Sequence, residues 1–431
     1  MRKTLSIRLD NVDLFKKKLI SFSNILDRAL VLDSFDYKIN HNIFHKYEFL
    51  AGLGVIKDFK SCTTNIFHEL REFHSNYKDW LFGNFNYDLK NKIEKLESTH
   101  PDFINFPEIS FFVPEWVLVI NSNILSIIYP KQYTENKAIS LIEEIQKTTI
   151  EKFKPKLIDF KPRFSKRDYL SAVGKIKNHI QAGDIYEMNF CQEFYSNKSK
   201  IDPYSTFNKL SDISPAPFSA FYKLKDKFLI SASPERFLQK TGNNIVSQPI
   251  KGTCKRGKNE KEDRELAALL KNDIKEKSEN VMIVDLVRND LSKTAKKGSV
   301  RVSELFGIYK FPQVFQMIST VESELRKDLH FTDLIKGCFP MGSMTGAPKI
   351  RAMEIIEQYE RTKRGLYSGS VGYISPEGDF DFNVVIRSLQ YNQANSYLSY
   401  IVGGAITNKS IAENEYNECI LKAEALKGLF I

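Results

Sequence analysis

The feature that most constrains this chain is a lysine set beside a glycine where two elements meet. Pro249-Ile250-Lys251-Gly252-Thr253 closes an apolar strand pattern that begins at Asn244, and Cys254-Lys255-Arg256-Gly257 leads on into a long charged helix. Glycine admits positive φ and close approach, so the pattern predicts a tight turn against which a small molecule can lie. A lysine there is either a solvated turn residue or, where burial or neighbouring cations lower its pKa, an amine nucleophile. The company the turn keeps decides between them.

A chain of 431 residues, 42% hydrophobic and with 32 phenylalanines, has ample material for a large core. Its formal charge of +10 raises the question of an anionic partner. The lysines are interleaved with 53 acidic residues and form no basic arm, which argues against nucleic acid and is compatible with a small dianionic substrate. The five cysteines, Cys62, Cys191, Cys254, Cys338 and Cys419, are odd in number and include no C-x-x-C pair, which argues against a disulfide framework and a zinc site. With no signal-peptide core and no apolar run of membrane-spanning length, the expectation is a cytoplasmic protein with no membrane partner.

Residues 1–150 alternate short apolar runs such as Ala29-Leu30-Val31-Leu32 and Trp116-Val117-Leu118-Val119-Ile120 with turn residues, predicting antiparallel strands; Glu135 to Phe153 reads as an amphipathic helix. Residues 154–163, with two prolines and many charges, read as a surface connection. Ser165 opens a helix running to about Ala182, with Gly183-Asp184 as its stop. Strands follow at Ile185 to Tyr195, Phe218 to Tyr222 and Phe228 to Ala232. Strands and helices are mixed, without β-α-β alternation or internal repeats.

Glu276 and Glu279 on one helix, and Glu415 and Glu418 on another, are acidic pairs at a spacing of three, so each pair shares a face. Carboxylates converging from two elements suit a hard cation; a solvated helix face, or for Glu276 a capping box with Asp273, explains each pair as readily. Gly342-Ser343-Met344-Thr345-Gly346-Ala347-Pro348 runs straight into a helix whose first amides could face an anion, although it is no P-loop. Arg387, read within a strand from Phe382 to Leu389, could grip a carboxylate with two prongs. Glu235, just after an apolar strand, is either a buried general acid or half of an ion pair. Lys422 follows Glu418 by four positions and shares its helical face.

In order along the chain, SASPERFL (231–238), PIKGT (249–253), ENVMIVDLVRNDL (279–291), GSMTGAPKIRAMEII (342–356), GYISPEGDFDFNVVIRSL (372–389) and NEYNECILKA (414–423) resemble the chorismate-utilising enzymes. The resemblance implies an α/β sandwich in which antiparallel β-sheets pack face to face with helices outside. It implies one chorismate-binding unit over 1–431, with 165–431 carrying the catalytic motifs and 1–150 adding strands to the same core. It also implies Mg²⁺ on Glu279, Glu415 and Glu418, with Glu276 open between metal and cap. Arg387, Tyr367 and Lys422 would hold the carboxylates of chorismate, Gly403 and Gly404 would offer amides, and Thr253 and Thr345 would line the substrate site. Within the family a lysine at position 251 resembles the members that aminate chorismate at C4, since anthranilate- and isochorismate-forming members usually carry alanine there. Lys251 would then attack C2, Glu235 would assist loss of the C4 hydroxyl, and ammonia would give 4-amino-4-deoxychorismate, the precursor of p-aminobenzoate for folate.

Two positions depart from the family pattern. Glu187 stands where isochorismate-forming members have a lysine base and most amine-forming members a glutamine, which speaks against water activation there and leaves its role open. Gln316 takes a position often held by histidine in anthranilate synthase, yet can still hydrogen-bond substrate. No Gly-x-Cys-x-Gly glutaminase segment is evident, so the expected ammonia source is a separate glutamine amidotransferase subunit. The rival readings are an anthranilate-forming enzyme and a non-catalytic chorismate-binding regulatory protein; retention of Lys251, Glu235 and the glutamates argues against the latter, because a binder needs no nucleophile.

Overall fold

Strand residues that alternate along the chain are buried on both faces, because each sheet has a different partner on each side. In Arg28–Asp33, Ala29 and Val31 enter a core shared with helices, while Leu30 enters a second core shared with the opposite sheet. Leu118 and Ile120 divide from Val117 and Val119 in the same way. In the facing sheet, Phe111 and Val113 point to helices and Phe112 to the sandwich interior. Side chains of a strand alternate between faces, so this two-sided burial turns near-continuous apolar runs into a sandwich flanked by helices. Truncating a fully buried ring such as Phe82 or Phe112 to alanine is expected to cost about 3–5 kcal/mol.

The computed structural model describes residues 2–35, 46–59, 61, 65–311 and 314–430. Two sheets, of twelve and ten strands, are built from antiparallel pairs. Strands from before residue 150 and after residue 165 lie in both. In the larger sheet Arg28–Asp33 pairs with Phe218–Leu224, and in the smaller Leu81–Phe85 pairs with Ser370–Ile374. Helices Lys166–Gln181, Lys349–Tyr359 and Ala412–Lys427 cover the larger sheet, and Ile66–Tyr77, Ile274–Ser292 and Phe331–Cys338 the smaller. The expected sandwich is therefore the observed fold. Cys62 lies outside the described residues; the other four cysteines are free thiols. No helix among the described residues is long and apolar enough to cross a membrane.

The helix at Ser165 forms as expected: Ser165 accepts from the Asp168 amide, and Gly183, at φ +82°, follows the end at Gln181. Other expectations need correction. The helix from Glu135 ends at Lys147, because the β-branched run Thr148-Thr149-Ile150 is poorly helical and Thr148 turns extended. The connection 154–163 is irregular only to Phe160, after which Lys161–Pro162 pairs with the strand Glu187–Ser196. Lys251 lies within a strand, Ile250–Lys255, whose register against Val314–Glu324 slips between Ile250 and Thr253. The predicted turn is thus a bulge, with Gly252 at φ +92° supplying the kink. Arg387 is in no strand. Phe380–Asn383 belongs to the smaller sheet and Ser388–Asn392 to the larger, and Arg387, at φ +52°, sits in the crossover between them.

Candidate active site

Two crossovers between the sheets run side by side and carry two of the expected residues. The chain passes from Lys227–Ser233 in the larger sheet to Arg236–Thr241 in the smaller through Pro234-Glu235, and returns through Val384–Arg387. They are stitched antiparallel: the Val384 amide donates to the Glu235 carbonyl at 3.0 Å, and the Ala232 amide to the Arg387 carbonyl at 3.1 Å. Residues at crossovers escape the strict in-out alternation of a strand, so Glu235 and Arg387 can face the gap where the sheets part.

Glu235 is 4% exposed, and burial pushes its carboxyl up to about 7, against hydrogen bonds from Ser343 and the Ile250 amide and the charge of Lys251. Among the described residues it makes no salt bridge at contact distance, so it is a buried carboxyl and not half of an ion pair there. Arg387 is half-buried, and that desolvation pulls its pKa down against the opposing influence of Tyr367 and Glu418. Its guanidinium makes no hydrogen bond or ion pair with the described residues, leaving both prongs open to an anion. Tyr367 is buried beside Cys191, its hydroxyl 3.8 Å from the thiol.

Lys251 is half-buried and makes no hydrogen bond or ion pair with the described residues. The groups whose charges act on it are Glu187, Glu235 and Glu418, all carboxylates. Thr253 is exposed and pairs across the ladder with Gln316, which is 4% exposed and has a buried side-chain oxygen without a partner. Thr345 is buried, but its hydroxyl already donates to the carbonyls of Met341 and Gly342.

The two acidic pairs lie within electrostatic reach of one another. Charges link Glu276, Glu279, Glu415 and Glu418, with Lys275 interleaved. Burial, reinforced by the other carboxylates, raises Glu276 and Glu415. Burial also pushes Glu418 upward, but Lys422, at 2.6 Å, outweighs it and leaves Glu418 below the usual range. Asp273 caps the helix by accepting from the Glu276 amide, while the Glu276 side chain reaches toward Gly252, so capping does not consume it. A Cβ built on Gly404 would lie 3.5 Å from Glu415 Oε2 and 3.7 Å from Glu418 Oε1, which places that glycine against the acidic cluster. A Cβ on Gly403 would instead meet Cys191 Sγ at 2.5 Å. Lys422 also donates to the Gly403 carbonyl at 2.9 Å.

Four carboxylates stand against Lys275 and Lys422 here, with Glu415 buried, Glu276 and Glu279 half-buried and Glu418 exposed, and the excess negative charge suits a hard cation. Among the described residues no three His, Cys, Asp or Glu side chains stand close enough to cage one. Mg²⁺ normally takes one or two carboxylates and completes its shell with water and substrate oxygens, so the donor set fits such an ion shared with a ligand.

Several supporting residues escaped the sequence reading. In Glu187–Ser196, Met188 and Phe190 enter the helix-side core, so Glu187, Asn189 and Cys191 face the opposite way, a split visible in the alternation Glu-Met-Asn-Phe-Cys. The Asn189 side chain donates to the Ser343 carbonyl at 3.0 Å, backing the residue that hydrogen-bonds Glu235. Gly346 permits this approach, since a Cβ there would meet the Glu187 carbonyl at 2.3 Å. Beneath lies Arg364, fully buried and paired in two-pronged fashion with Glu360 at 2.7 and 2.9 Å. It also donates to the carbonyls of Met344 and Asn189, and Glu360 accepts from the Cys191 amide. This buried pair ties the Gly342–Ala347 loop to the strand carrying Asn189. No sequence motif read above includes Arg364 or Glu360.

Residues 46–428 match the family described as chorismate binding enzyme. The chain is 34% identical over 350 residues to aminodeoxychorismate synthase component 1 of Escherichia coli, covering 81% of this chain and 76% of that protein. It is 36% identical over 354 residues to anthranilate synthase component 1 of Thermus thermophilus, covering 80% and 76%. Among solved structures, anthranilate synthase component I from Streptococcus pneumoniae superposes with a TM-score of 0.73 at 29% identity over 80% of each chain.

Proposed function

This chain belongs to the family of chorismate binding enzymes, and from that premise we propose that it joins chorismate and ammonia to form 4-amino-4-deoxychorismate through a covalent adduct on Lys251. The observation that carries the reading is the placement of Lys251: a primary amine without an ion-pair partner among the described residues, at a glycine bulge, with the buried acid Glu235 acting on it electrostatically. The identity to aminodeoxychorismate synthase component 1 supports the same reaction.

Arg387 and Lys422 hold the substrate's carboxylates, with the Tyr367 hydroxyl alongside. Mg²⁺, held by Glu279, Glu415 and Glu418 with Glu276 near, would neutralise the charge that the ring carboxylate brings to this acidic wall. The Lys251 amine bonds to C2, the two ring double bonds shift, and the C4–O bond breaks. Glu235 protonates the departing oxygen, so that water leaves rather than hydroxide. Ammonia then bonds to C4, the double bonds shift back, and the C2–N bond to Lys251 breaks, restoring the free lysine. A carboxyl poised at about 7 suits the donor role, because it still holds its proton for much of the time at neutral pH. Ammonia would reach the site from a separate glutamine amidotransferase subunit, and the product would feed p-aminobenzoate and folate synthesis in the cytoplasm.

The identity to an anthranilate synthase component 1 favours a second reading, in which pyruvate is eliminated and anthranilate formed. Incubating the protein with chorismate, Mg²⁺ and ammonium, with Lys251→Ala in parallel, separates the two by product mass. We expect aminodeoxychorismate from the native protein and a loss of at least about 10²-fold in the variant. Anthranilate as the main product, or full turnover by Lys251→Ala, would overturn the proposal.

A further inference from the structure

The buried pair Arg364–Glu360 has no part in the steps above, yet it gathers several pieces of the site. Arg364 is 2% exposed and donates to both carboxylate oxygens of Glu360, to the carbonyls of Met344 and Asn189 at 2.6 and 2.9 Å, and to the Ser368 hydroxyl at 3.4 Å. Glu360 in turn accepts from the Cys191 amide at 2.9 Å. A lysine offers its donors from a single point, so only the planar fork of a guanidinium can serve all these directions at once.

On one side of the pair lies the loop Gly342–Ala347, with three successive carbonyls turned toward one wall. The carbonyl of Ser343 accepts from the Asn189 side chain at 3.0 Å, that of Met344 from Arg364, and that of Thr345 from the Asn189 amide at 2.7 Å. Buried carbonyls need donors, so Arg364 and Asn189 together dictate the path of this loop. Ser343 and Glu235 line one cavity, and the Ser343 hydroxyl hydrogen-bonds the Glu235 carboxyl. On the other side, Arg364 opens the turn that carries Tyr367. The Ser368 amide donates to the Val385 carbonyl at 2.9 Å, and the Val385 amide to the Gly369 carbonyl at 2.8 Å, which joins this turn to the crossover bearing Arg387. That crossover holds the Glu235 backbone through the Val384 amide. The pair thus stands where two supports of Glu235 meet, one on its side chain and one on its backbone.

We propose that Arg364 and Glu360 are positioning residues that hold the Ser343 loop and the crossovers in register around Glu235, fixing the place from which its proton is delivered. The inference rests on the reading of Glu235 as the acid for the C4 oxygen. Lys251 is the charged group whose field reaches Glu235; of the other charged residues lining the shared cavity, Asp290 is paired with Lys349 and Lys293, and Arg236 with Asp381. A hydrogen bond to the ionised carboxyl favours that form, so Ser343 pulls Glu235 down against the upward push of burial. Loosening the loop removes that pull, and the acid then keeps its proton to higher pH.

The test is Arg364→Lys, with Glu360→Gln as a gentler loosening that keeps the buried shape and Ser343→Ala as direct removal of the hydroxyl. Turnover is followed against pH, beside denaturant melts of each variant. We expect Arg364→Lys to lower kcat about 10–100-fold, the scale of a small misplacement of a reacting group. Its alkaline limb, near pH 7 in the native enzyme, should move up by about one pH unit, the scale of a lost hydrogen bond to a carboxylate. Glu360→Gln should move the limb the same way by less. Ser343→Ala should move it as far as Arg364→Lys, and the two changes combined no further, because both act through one hydrogen bond. A simple folding defect lowers the amount of active protein and leaves the limb in place. Reduced kcat with a native limb, or a shift that adds to that of Ser343→Ala, overturns this inference and leaves Glu235 as the acid; if Arg364→Lys does not fold, Glu360→Gln is judged by the same two outcomes. An alkaline limb that persists in Glu235→Gln overturns the acid assignment, and this inference with it.

Discussion

The site has two acidic walls that differ in how their carboxylates are compensated. On the helices Ile274–Ser292 and Ala412–Lys427, Glu279 and Glu418 have lysines four residues away on the same face, Lys275 and Lys422. On the strand and crossover side, Glu187 and Glu235 are nearly inaccessible and make no salt bridge with the described residues. Lys422 keeps Glu418 ionised, whereas burial pushes Glu235 up to about 7. Burial raises Glu276 and Glu415 as well, so it is Glu418, beside Lys422, that sets the helical wall apart. Carboxylates that stay charged suit the holding of a cation, and carboxyls whose charge is costly suit the movement of protons.

The sharpest break in that contrast is Glu235→Gln, which keeps the hydrogen-bonding shape and removes the proton. The expected loss is about 10²–10⁴-fold in kcat, the usual range for a positioned acid. The sign of the pH dependence follows from the role: an acid must be protonated to donate, so native kcat should decline as pH rises through about 7, where Glu235 gives up its proton. Glu235→Gln should lose that alkaline limb. An unchanged limb in a pH–rate series would move the donor role elsewhere.

The helical wall should respond differently. Glu418→Gln is expected to raise the Mg²⁺ concentration needed for half-maximal rate by about 10–100-fold or more, the range seen even for outer partners of metal ligands. Saturating Mg²⁺ should restore much of the rate. Chelation by EDTA should silence the native enzyme reversibly. Mg²⁺ titrations of both proteins check this, and an identical requirement in the two would separate Glu418 from the ion.

The two walls were not equally legible in the sequence. The helical wall could be read from spacing alone, because Glu276 and Glu279, and Glu415 and Glu418, recur at the helical period, and a helix converts spacing into a shared face. The crossover side could not. Phe380 to Leu389 is apolar enough to look like one strand, and nothing local marks Val384–Arg387 as the step from one sheet to the other; that depends on which distant strands pair with each half. The Lys251 bulge likewise reads as a turn in the sequence, because Gly252 signals a kink in either setting and the strand it pairs with, Val314–Glu324, is far away along the chain. The Arg364–Glu360 pair was invisible for a related reason. Its purpose lies in the carbonyls of Met344 and Asn189, which a linear reading cannot bring together.

The smallest expected effect comes from neighbouring glycines that the family resemblance grouped together. Gly403 and Gly404 are successive residues of Tyr397–Thr407, so a methyl added to each points to opposite faces. At Gly403 it would meet Cys191 Sγ and the Phe190 carbonyl, both at 2.5 Å, and the carbonyl belongs to the paired strand and cannot easily move aside. Gly403→Ala should therefore cost about 1–3 kcal/mol of stability, the usual penalty of overpacking. At Gly404 the nearest atoms, at 3.5 Å and beyond, are the ends of Glu415, Glu418 and Lys422, so a methyl fits at ordinary contact distance. Gly404→Ala should stay within about 0.5 kcal/mol of native stability while weakening Mg²⁺ or chorismate binding by crowding the side chains proposed to hold them. Denaturant melts and paired titrations of the two variants test this division: a destabilised Gly404→Ala with native affinities would place that glycine in the packing of the strand and detach it from the acidic wall.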